Sequence, residues 1–368
     1  MKKKPGLPDS GASGFSDYLV TPKKLGFFFP AEFHPHESTW LSWPHKEASW
    51  PGKIHTVYPP YVQFIKELTR GEKVNINVND QAMKDFAMAE LTKGGVDMDK
   101  VRFYFHPTND AWCRDHGPAF LIHPEKEKGK IIVDWGYNAW GNKYPPYDLD
   151  DEIPTWVGLE LELPVYYPNI VMEGGSVDFN GKGSLITSTA CLLNKNRNPH
   201  LSQGQIEEYL YAYYGVYQVL WVDEGIIGDD TDGHIDDTVR FVSEQTVLAV
   251  RENNKADENH ALLEHNFLQL KEMRLLNGKP LEIIELPMPD PIYYEGQRLP
   301  ASYANFYIAN CSVIVPTYRC PKDDVALSII QSCFPDREVV GIDSTDLIWG
   351  LGSFHCLSQQ EPRSGDEG

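Results

Sequence analysis

The fold is decided by the pattern of residues 171–222, which read VMEGGSVDFNGKGSLITSTACLLNKNRNPHLSQGQIEEYLYAYYGVYQVLWV. Two runs rich in apolar and β-branched residues, 171–179 and 184–189, predict short strands with turn residues between them. Ser202 is typical of the residue that caps the start of a helix, and a third strand is predicted at 216–222. This stretch therefore predicts a strand–strand–helix–strand unit.

The same order of patterns recurs along the chain, although the residues themselves do not repeat. The other occurrences lie at 39–78, 118–166, 238–286 and 304–342. Five short units of similar size favour radial repetition within an α/β fold over a doubly wound parallel sheet. Strand ends converge on a central channel in such an arrangement, so residues from distant segments can meet there.

The composition is that of an ordinary globular protein. Of 368 residues, 41% are hydrophobic and 23% are charged. No apolar run approaches the roughly eighteen residues that span a bilayer, and no apolar region follows the basic start Met1-Lys2-Lys3-Lys4. We expect an unexported, cytoplasmic protein with a disordered lead at 1–20, a single domain at 21–362 and a short tail at 363–368.

The charge balance limits the partners. The formal net charge is −20, from 53 acidic against 33 basic residues. Nucleic acid and anionic membranes are bound through clustered Lys and Arg, so we expect neither as a partner. A negative field favours small cationic molecules, although acidity also serves solubility alone. A homo-oligomer is a further partner that these features allow.

Six cysteines are spread over the chain without tight pairing, which is typical of reduced thiols in the cytosol. Cys311 lies in the apolar run 308–315 and is interpreted as a buried small hydrophobic residue. Cys356 is different, because glycines precede it and polar residues follow it in GLGSFHCLSQQ at 350–360. This setting is typical of a thiol at the end of a strand, in a turn that opens on a cleft.

Three other segments supply the groups that a nucleophilic cysteine needs. His234 and Asp236 offer a base and a carboxylate, and Glu173 offers a second carboxylate. Asp115 is a third acid, three residues after the aromatic Trp112. A thiol, a histidine and three acids from four distant segments indicate attack on a cationic carbon centre.

Seven motifs in fixed order resemble those of the agmatine deiminase and bacterial peptidylarginine deiminase family of guanidine-modifying enzymes. They are PAEF at 30–33, NDAWCRDHGP at 109–118, WGYNAWG at 135–141, EGG at 173–175, TDGHID at 231–236, YANF at 303–306 and FHCLSQQ at 354–360. Each motif is weak alone, but together they extend over nearly the whole chain. The resemblance implies a five-fold pseudosymmetric α/β propeller of ββαβ-type units, the pentein fold, as a single catalytic domain.

The resemblance also implies a role for each chemical group. Cys356 is the expected nucleophile, and His234 is the expected general acid and base. Asp115 and Asp236 match the pair of acids that grips the planar guanidinium. Glu173 matches the acid that contacts the substrate and orients the histidine. The thiolate attacks the guanidinium carbon, ammonia leaves, and water then hydrolyses the thiouronium intermediate.

Trp112 and Gly352 complete the expected substrate-binding set. Trp112 should flank the guanidinium by cation–π and apolar contact, unless it is an ordinary core tryptophan. The purely structural alternative for Cys356 is a buried inert thiol, and the alternative for the aspartates is a turn or capping role.

Strand geometry gives further expectations. On a strand, His234 and Asp236 point the same way, whereas Asp237 points away and is interpreted as a turn residue. His355 is likewise expected to face away from the nucleophile and to serve in packing.

No metal or cofactor is expected. The run 229–233 resembles a calcium loop, but the register that puts Gly233 sixth leaves Gly228 and Val239 at ligand positions. His34 and His36 lack partners at zinc spacing. The sequence contains neither a G-x-S-x-G elbow nor a glycine-rich phosphate loop.

Two departures from the family pattern leave the substrate open. GLGS at 350–353 and TDG at 231–233 stand where agmatine enzymes usually carry Gly-Gly-Gly-Asn and Thr-Asn-Gly. The expected reaction converts agmatine and water to N-carbamoylputrescine and ammonia, on a route to putrescine and other polyamines. Peptidyl-arginine and other small guanidines are the alternatives, and Asp232 either contacts a substrate amine or caps a turn. A catalytically silent binding protein would be expected to lack at least one of the five chemical residues, and none is missing.

Overall fold

The computed structural model describes residues 20–125, 127 and 129–364. Most of the predicted lead at 1–20 and the end of the predicted tail lie outside the described residues. The described chain has an α/β structure of small sheets with helices beside them. In this part of the chain, no helix is long and apolar enough to cross a lipid bilayer.

The strands are short, as the sequence predicts. They are β1 (His36–Ser42), β2 (Lys73–Asn77), β3 (Val101–Tyr104), β4 (Ala119–Ile122), β5 (Lys130–Val133), β6 (Val165–Tyr166), β7 (Val177–Phe179), β8 (Ser184–Ser188), β9 (Gln218–Val222), β10 (Val239–Phe241), β11 (Thr246–Arg251), β12 (Glu282–Pro287), β13 (Tyr293–Tyr294), β14 (Gln297–Arg298), β15 (Tyr307–Ile308), β16 (Ser312–Thr317), β17 (Glu338–Asp343) and β18 (Ser358–Pro362). The helices are α1 (Tyr58–Leu68), α2 (Gln81–Lys93), α3 (Cys113–His116), α4 (Ala139–Asn142), α5 (Ile153–Glu160), α6 (Thr189–Leu192), α7 (Gln203–Tyr214), α8 (Glu258–Glu272) and α9 (Asp323–Cys333).

Several sheets share one topology. Their orders are β4-β5-β6, β7-β8-β9, β10-β11-β12 and β15-β16-β17. In each, the second strand is antiparallel to the first and parallel to the third. The connection to the third strand contains α5, α7, α8 or α9, because a parallel pair needs a crossover. The predicted order of strand, strand, helix and strand is therefore observed in these units.

A further sheet joins the two ends of the described chain. Its order is β18-β1-β2-β3, with β18 antiparallel to β1 and β1 parallel to β2. The helix α1 lies between β1 and β2, so this sheet also contains a strand–strand–helix–strand unit. The pattern at 39–78 predicted only one strand before its helix, and β18 supplies the other. Neither this pairing nor the added α2 and β3 was predicted.

The helix α7 shows how the sequence specifies one unit. The Ser202 side chain accepts a hydrogen bond from the Gln205 N–H, and the Gln205 side chain accepts one from the Ser202 N–H. This predicted cap satisfies two backbone donors that a helix start leaves open. Gly215 ends the helix with a φ of 74°, in the left-handed region that favours glycine. Ile206 and Leu210 are buried between the caps, and each contributes about 1.5–3 kcal/mol to stability.

Some local predictions are wrong. Residues 171–176 are not part of a strand, because β7 begins only after a 3-10 turn at Gly174–Ser176. Ile235–Asp237 also form a 3-10 turn, so side chains there do not alternate as on a strand. Cys311 is exposed, because it occupies the turn between β15 and β16 rather than either strand. Tight turns at strand ends, rather than the strands themselves, therefore hold the predicted site residues.

Candidate active site

Cys356 lies on the wall of a cavity of about 210 Å³. Its thiol is buried, Asn305 Nδ2 donates to Sγ at 3.1 Å, and the Cys356 N–H donates to Asn305 Oδ1 at 3.3 Å. Asn305 belongs to the YANF motif but was not predicted as a site residue. A Cβ at Gly352 would lie 2.6 Å from the Trp112 ring and 3.2 Å from Sγ. Any larger residue at 352 would therefore displace the tryptophan or the thiol.

Aromatic rings form much of the cavity wall. Trp112 is buried, and its ring centroid is 5.3 Å from that of Trp50 in the core. The other aromatic residues that line the cavity are Trp140, Tyr144, Tyr294 and Trp349. Trp112 therefore packs as a core tryptophan and also lines the cavity, and its contact with a guanidinium stays a prediction. An aromatic wall of this kind suits a planar cation.

Asp236 lies beside the thiol. Its Oδ2 is 3.6 Å from Cys356 Sγ, and its Oδ1 makes no hydrogen bond. Burial alone would raise the pKa of Asp236, but the hydrogen bond and charge of His355, with help from Arg240, lower it. The surroundings therefore favour the ionised carboxylate, whose Oδ2 lies near the sulfur and is bonded to His355, while Oδ1 is uncommitted.

Asp115 also lines the cavity, and its carboxyl group is held by two hydrogen bonds. It accepts hydrogen bonds from the Gly175 N–H at 2.9 Å and from Trp140 Nε1–H at 3.0 Å. Burial raises the pKa of Asp115 to about 6; the charge of His234 opposes this rise, and neighbouring carboxylates add to it. A cationic ligand would favour the ionised form of this carboxyl group.

His234 is buried, and neither of its ring nitrogens makes a hydrogen bond. Nδ1 is 3.8 Å from Asp115 Oδ1, and the Glu173 carboxylate and the Cys191 thiol lie within 4.8 Å of a ring nitrogen. Burial by itself lowers the pKa of His234, but Asp115 and Cys191 outweigh that effect and raise the pKa well above its usual value. These surroundings favour the protonated imidazole, which has a proton to give.

Glu173 is held by an arginine that was not predicted as a site residue. Arg197 Nε donates to Glu173 Oε1 at 2.6 Å, and neither side chain is exposed. Arg197 Nη1 also donates to Asp232 Oδ2 at 2.5 Å. Glu173 Oε2 is buried and makes no hydrogen bond, so this oxygen is an uncommitted acceptor. Arg197 lies in the polar run NKNRN at 194–198, which on sequence alone is typical of a surface loop.

Asp232 does not line the cavity. It pairs with Arg197 and accepts a hydrogen bond from Lys143 Nζ at 2.9 Å, in a tight turn where its φ is 69°. Asp230 lines the cavity instead; it lies 3.3 Å from Lys143 Nζ, and the Tyr144 hydroxyl donates to it. Asp230 rather than Asp232 is therefore an acid on the cavity wall.

His355 faces Asp236, contrary to the prediction. Its Nδ1 is 2.7 Å from Asp236 Oδ2, and its Nε2 is 2.7 Å from Glu32 Oε2. The prediction assumed an extended strand, but these residues form a turn before β18, so neighbouring side chains do not point to opposite faces. Glu32, from the PAEF motif, pairs in turn with Arg114 at 3.2 Å and with Arg240 at 2.9 Å.

The thiol itself is difficult to ionise without a ligand. Burial, followed by the charges of Asp236, Asp237 and Asp115, raises the pKa of Cys356 well above its usual value. Asp237 is buried and accepts a hydrogen bond from Asn305 Nδ2 at 3.0 Å, rather than pointing into solvent as a turn residue. A cation bound among these acids would offset the effect and favour the thiolate.

Three of these groups also have the donor set of a metal site. Ligand atoms of Glu173, Cys191 and His234 lie within 4.8 Å of one another and are buried. Carboxylate, thiolate and imidazole suit Zn²⁺, although Arg197 already neutralises part of the Glu173 charge. Nothing in this geometry requires a metal, and the expectation that the chemistry needs none stays a prediction.

Residues 28–362 match the family described as Porphyromonas-type peptidyl-arginine deiminase, and the chain belongs to this family. It is 35% identical over 372 residues to an agmatine deiminase of Pseudomonas aeruginosa (strain LESB58), covering 94% of this chain and 98% of that protein. The structure of the agmatine deiminase of Enterococcus faecalis is similar with a TM-score of 0.87 at 31% identity, covering 94% and 99% of the two chains. The agmatine deiminase of C. jejuni with substrate bound gives a TM-score of 0.83 at 31% identity, with coverage of 92% and 97%.

Proposed function

We propose that this chain hydrolyses agmatine to N-carbamoylputrescine and ammonia. The observation that carries the proposal is the meeting of one thiol, one imidazole and three carboxylates, all buried, beside a cavity of about 210 Å³ whose wall includes Cys356 and Asp115. These groups come from four distant segments, and adjacent members lie within 4.8 Å of each other. Relatives that carry the name agmatine deiminase match almost the whole chain, which supports the same chemistry here.

Three carboxylates hold the guanidinium in the proposed complex. Asp236 Oδ1 and Glu173 Oε2 are uncommitted acceptors, and Asp115 completes the set. Paired carboxylates fix both the plane and the orientation of a guanidinium group. The Trp112 ring flanks the cation, and the absence of a side chain at Gly352 leaves room beside the sulfur.

The reaction proceeds in two halves. Cys356 loses its thiol proton to solvent as the guanidinium binds, and the thiolate attacks the guanidinium carbon; a C–S bond forms, and a C–N bond breaks as His234 gives its proton to the departing ammonia. His234 then takes one proton from water, whose oxygen attacks the thiouronium carbon. The C–S bond breaks and restores the thiolate, and the second water proton leaves as the carbamoyl C=O forms and is taken up by ammonia as ammonium.

Substrate binding and thiol activation are coupled in this proposal. Asp236 and Asp115, whose charges add to burial in raising the pKa of Cys356, are also two of the three carboxylates that bind the guanidinium. A bound guanidinium neutralises them, so the thiolate becomes more favourable only when there is a carbon to attack. The free enzyme is thereby protected from reaction with other electrophiles.

The cavity favours a small dication. Its volume of about 210 Å³ is below the roughly 300–1,000 Å³ of pockets for drug-sized ligands, which suits agmatine better than a peptide chain. Asp230 on the wall supplies a partner for the second amine, although it shares Lys143. The carboxylate of free arginine would be repelled by the acidic surroundings. We therefore rank agmatine first, peptidyl-arginine second and free arginine last.

The fold proposal is a five-fold pseudosymmetric α/β propeller of the pentein type. It is supported by sheets of matching topology and by the joining of β18 to β1, which would complete a ring. Strand ends would then face a common channel, where turns from distant segments meet. We further propose one catalytic domain at 21–362 in a cytoplasmic enzyme of polyamine synthesis.

A substrate panel tests the function. We expect ammonia release with kcat/KM falling from agmatine to an arginine-containing peptide to free arginine, and a decreasing preference for agmatine as salt screens its charges. A Cys356→Ser preparation purified in parallel controls for contaminating activity. Equal efficiency on free arginine and agmatine would overturn the substrate assignment, and no ammonia from any guanidine would overturn the reaction.

A further inference from the structure

His355 takes no part in the proposed reaction steps, but it joins Asp236 and Glu32 in a hydrogen-bonded network. The two ring nitrogens each lie 2.7 Å from a carboxylate oxygen, one of Asp236 and one of Glu32. All three side chains are buried. A neutral imidazole carries one N–H and can donate to only one acceptor. Two contacts of this length, made to two carboxylates, therefore require one more proton than a neutral imidazole has.

The surroundings place that proton on the ring. Glu32 receives Arg114 at 3.2 Å and Arg240 at 2.9 Å, and Arg240 Nε lies 3.6 Å from Asp178. Burial would raise the pKa of Glu32, but Arg240, His355 and Arg114 outweigh it and hold the pKa well below its usual range. The pKa of the other acceptor is also lowered, mainly by the ring itself. Glu32, paired with two arginines, is therefore not the holder of the extra proton, and an imidazole is intrinsically more basic than the remaining aspartate carboxyl group.

We propose that His355 is a buried imidazolium and the positioning residue for Asp236. It binds Oδ2 of the carboxylate, which leaves Oδ1 for the substrate guanidinium and keeps the group charged. Two arginines and the imidazolium then face three carboxyl groups, so the network is balanced only with the ring protonated. The inference rests on the proposed function, in which Asp236 accepts the guanidinium, and it gives the PAEF motif a role through Glu32.

The first test needs no substrate. Histidine ring nitrogens are observed by NMR in resting wild-type protein labelled with ¹⁵N-histidine, and His355 is assigned by comparison with His355→Gln or Glu32→Gln. Both nitrogens of His355 should carry protons throughout the pH range of activity. His106 is the internal reference, because it is buried, its Nδ1 is hydrogen-bonded to the neutral Asn77 side chain, and burial lowers its pKa to about 4. A singly protonated His355 ring at neutral pH would overturn the proposal.

The second test measures the pH dependence of turnover. His355→Gln should lower kcat/KM on the order of 100-fold, mainly through KM, because a misplaced acceptor weakens substrate binding. The acidic limb of the profile should move to higher pH, since Asp236 without its cation takes up a proton more readily. Glu32→Gln should move the limb in the same direction by a smaller amount.

The control variant is His106→Gln, which changes an equally buried histidine that has no carboxylate partner. It should lose stability but keep the acidic limb unchanged. An unshifted limb in both His355→Gln and Glu32→Gln would overturn the positioning role. If the wild type released no ammonia from agmatine, the proposed function would fail, and the NMR result would still decide the protonation of His355.

Discussion

The two histidines of the site have opposite surroundings. Both ring nitrogens of His355 lie 2.7 Å from carboxylate oxygens, whereas those of His234 make no hydrogen bond and its nearest acid oxygen is 3.8 Å away. One ring is fixed on both sides, and the other is free to exchange a proton. In the proposed mechanism, the histidine that positions an acid is hydrogen-bonded through both ring nitrogens, whereas the histidine that transfers protons makes no hydrogen bond.

Two of the three proposed guanidinium acceptors, Asp236 and Glu173, repeat this division within single carboxylates. Asp236 gives Oδ2 to His355 and keeps Oδ1 open, and Glu173 gives Oε1 to Arg197 and keeps Oε2 open. Each acid is thus anchored by a cation through one oxygen and presents the other. Variants that remove an anchor should therefore differ from variants that remove a reacting group.

The largest expected effect comes from removing the reacting sulfur. Cys356→Ser should reduce turnover below detection, because the hydroxyl ionises far less readily than a thiol, while the fold and agmatine binding persist. Ammonia release and calorimetric binding of agmatine measure the two properties. Cys333→Ser is the control, since this half-buried cysteine belongs to α9 and should keep full activity. Substantial turnover by Cys356→Ser would show that the nucleophile is another group.

Removing the cation that anchors a carboxylate should lower both the stability and the activity of the protein. Arg197→Gln leaves the Glu173 charge buried without its cation, which we expect to destabilise the protein by about 3–5 kcal/mol and to lower kcat. Urea unfolding measures the stability. Arg319→Gln is the matched control, because its pairing with Asp343 is largely exposed and should contribute less than about 1 kcal/mol. Similar losses in the two variants would contradict the anchoring role.

A smaller effect is expected on the pH dependence of stability. The pKa of Asp115 is about 6 in the folded protein, above the roughly 3.9 of an unfolded aspartate. Its protonated form therefore adds stability below about pH 4, and this is lost as the pH rises through about 6. Asp115→Asn should flatten the unfolding free energy between these values by on the order of 2 kcal/mol, while Asp99→Asn at an exposed position should not. An unchanged slope in Asp115→Asn would contradict the burial argument.

The smallest effect is expected from metal removal. Dialysis against a strong chelator should leave the rate unchanged, because the substrate brings its own positive charge. Added Zn²⁺ should instead inhibit, since Glu173, Cys191 and His234 offer uncommitted donors, and Cys191→Ser should weaken that inhibition. Activity lost on chelation and restored by zinc or manganese would contradict the mechanism.

The chemical groups could be found from the sequence because their residue types and their order define the reaction. Cys356, His234, Asp236, Asp115 and Glu173 were each named from short motifs, and the structure brings all of them together. Elements with a local signal were equally accessible: the cap of α7 and the bounds of α1 follow from residues that are close in sequence.

Contacts that depend on turns could not be found in this way. The predicted orientation of His355 was wrong because a turn, not a strand, precedes β18. Arg197 was missed because a polar residue in a loop can still bury its side chain. The pairing of β18 with β1 could not be predicted from local sequence, since the two strands lie at opposite ends of the described chain and their pairing depends on tertiary contacts.

The pairing of β18 with β1 has a consequence for how the chain folds during synthesis. Cys356 lies two residues before β18, and β18 is made after every other strand that the structure describes. During synthesis the earlier sheets can form as they leave the ribosome, but β1 keeps an open edge until the closing strand arrives. The proposed nucleophile can therefore reach its acids only after the earlier sheets have been made. A chain that ends before Ser358 would leave the backbone groups along one edge of β1 unpaired. Cellular quality control would therefore act on an aggregation-prone fragment rather than on a partly active enzyme.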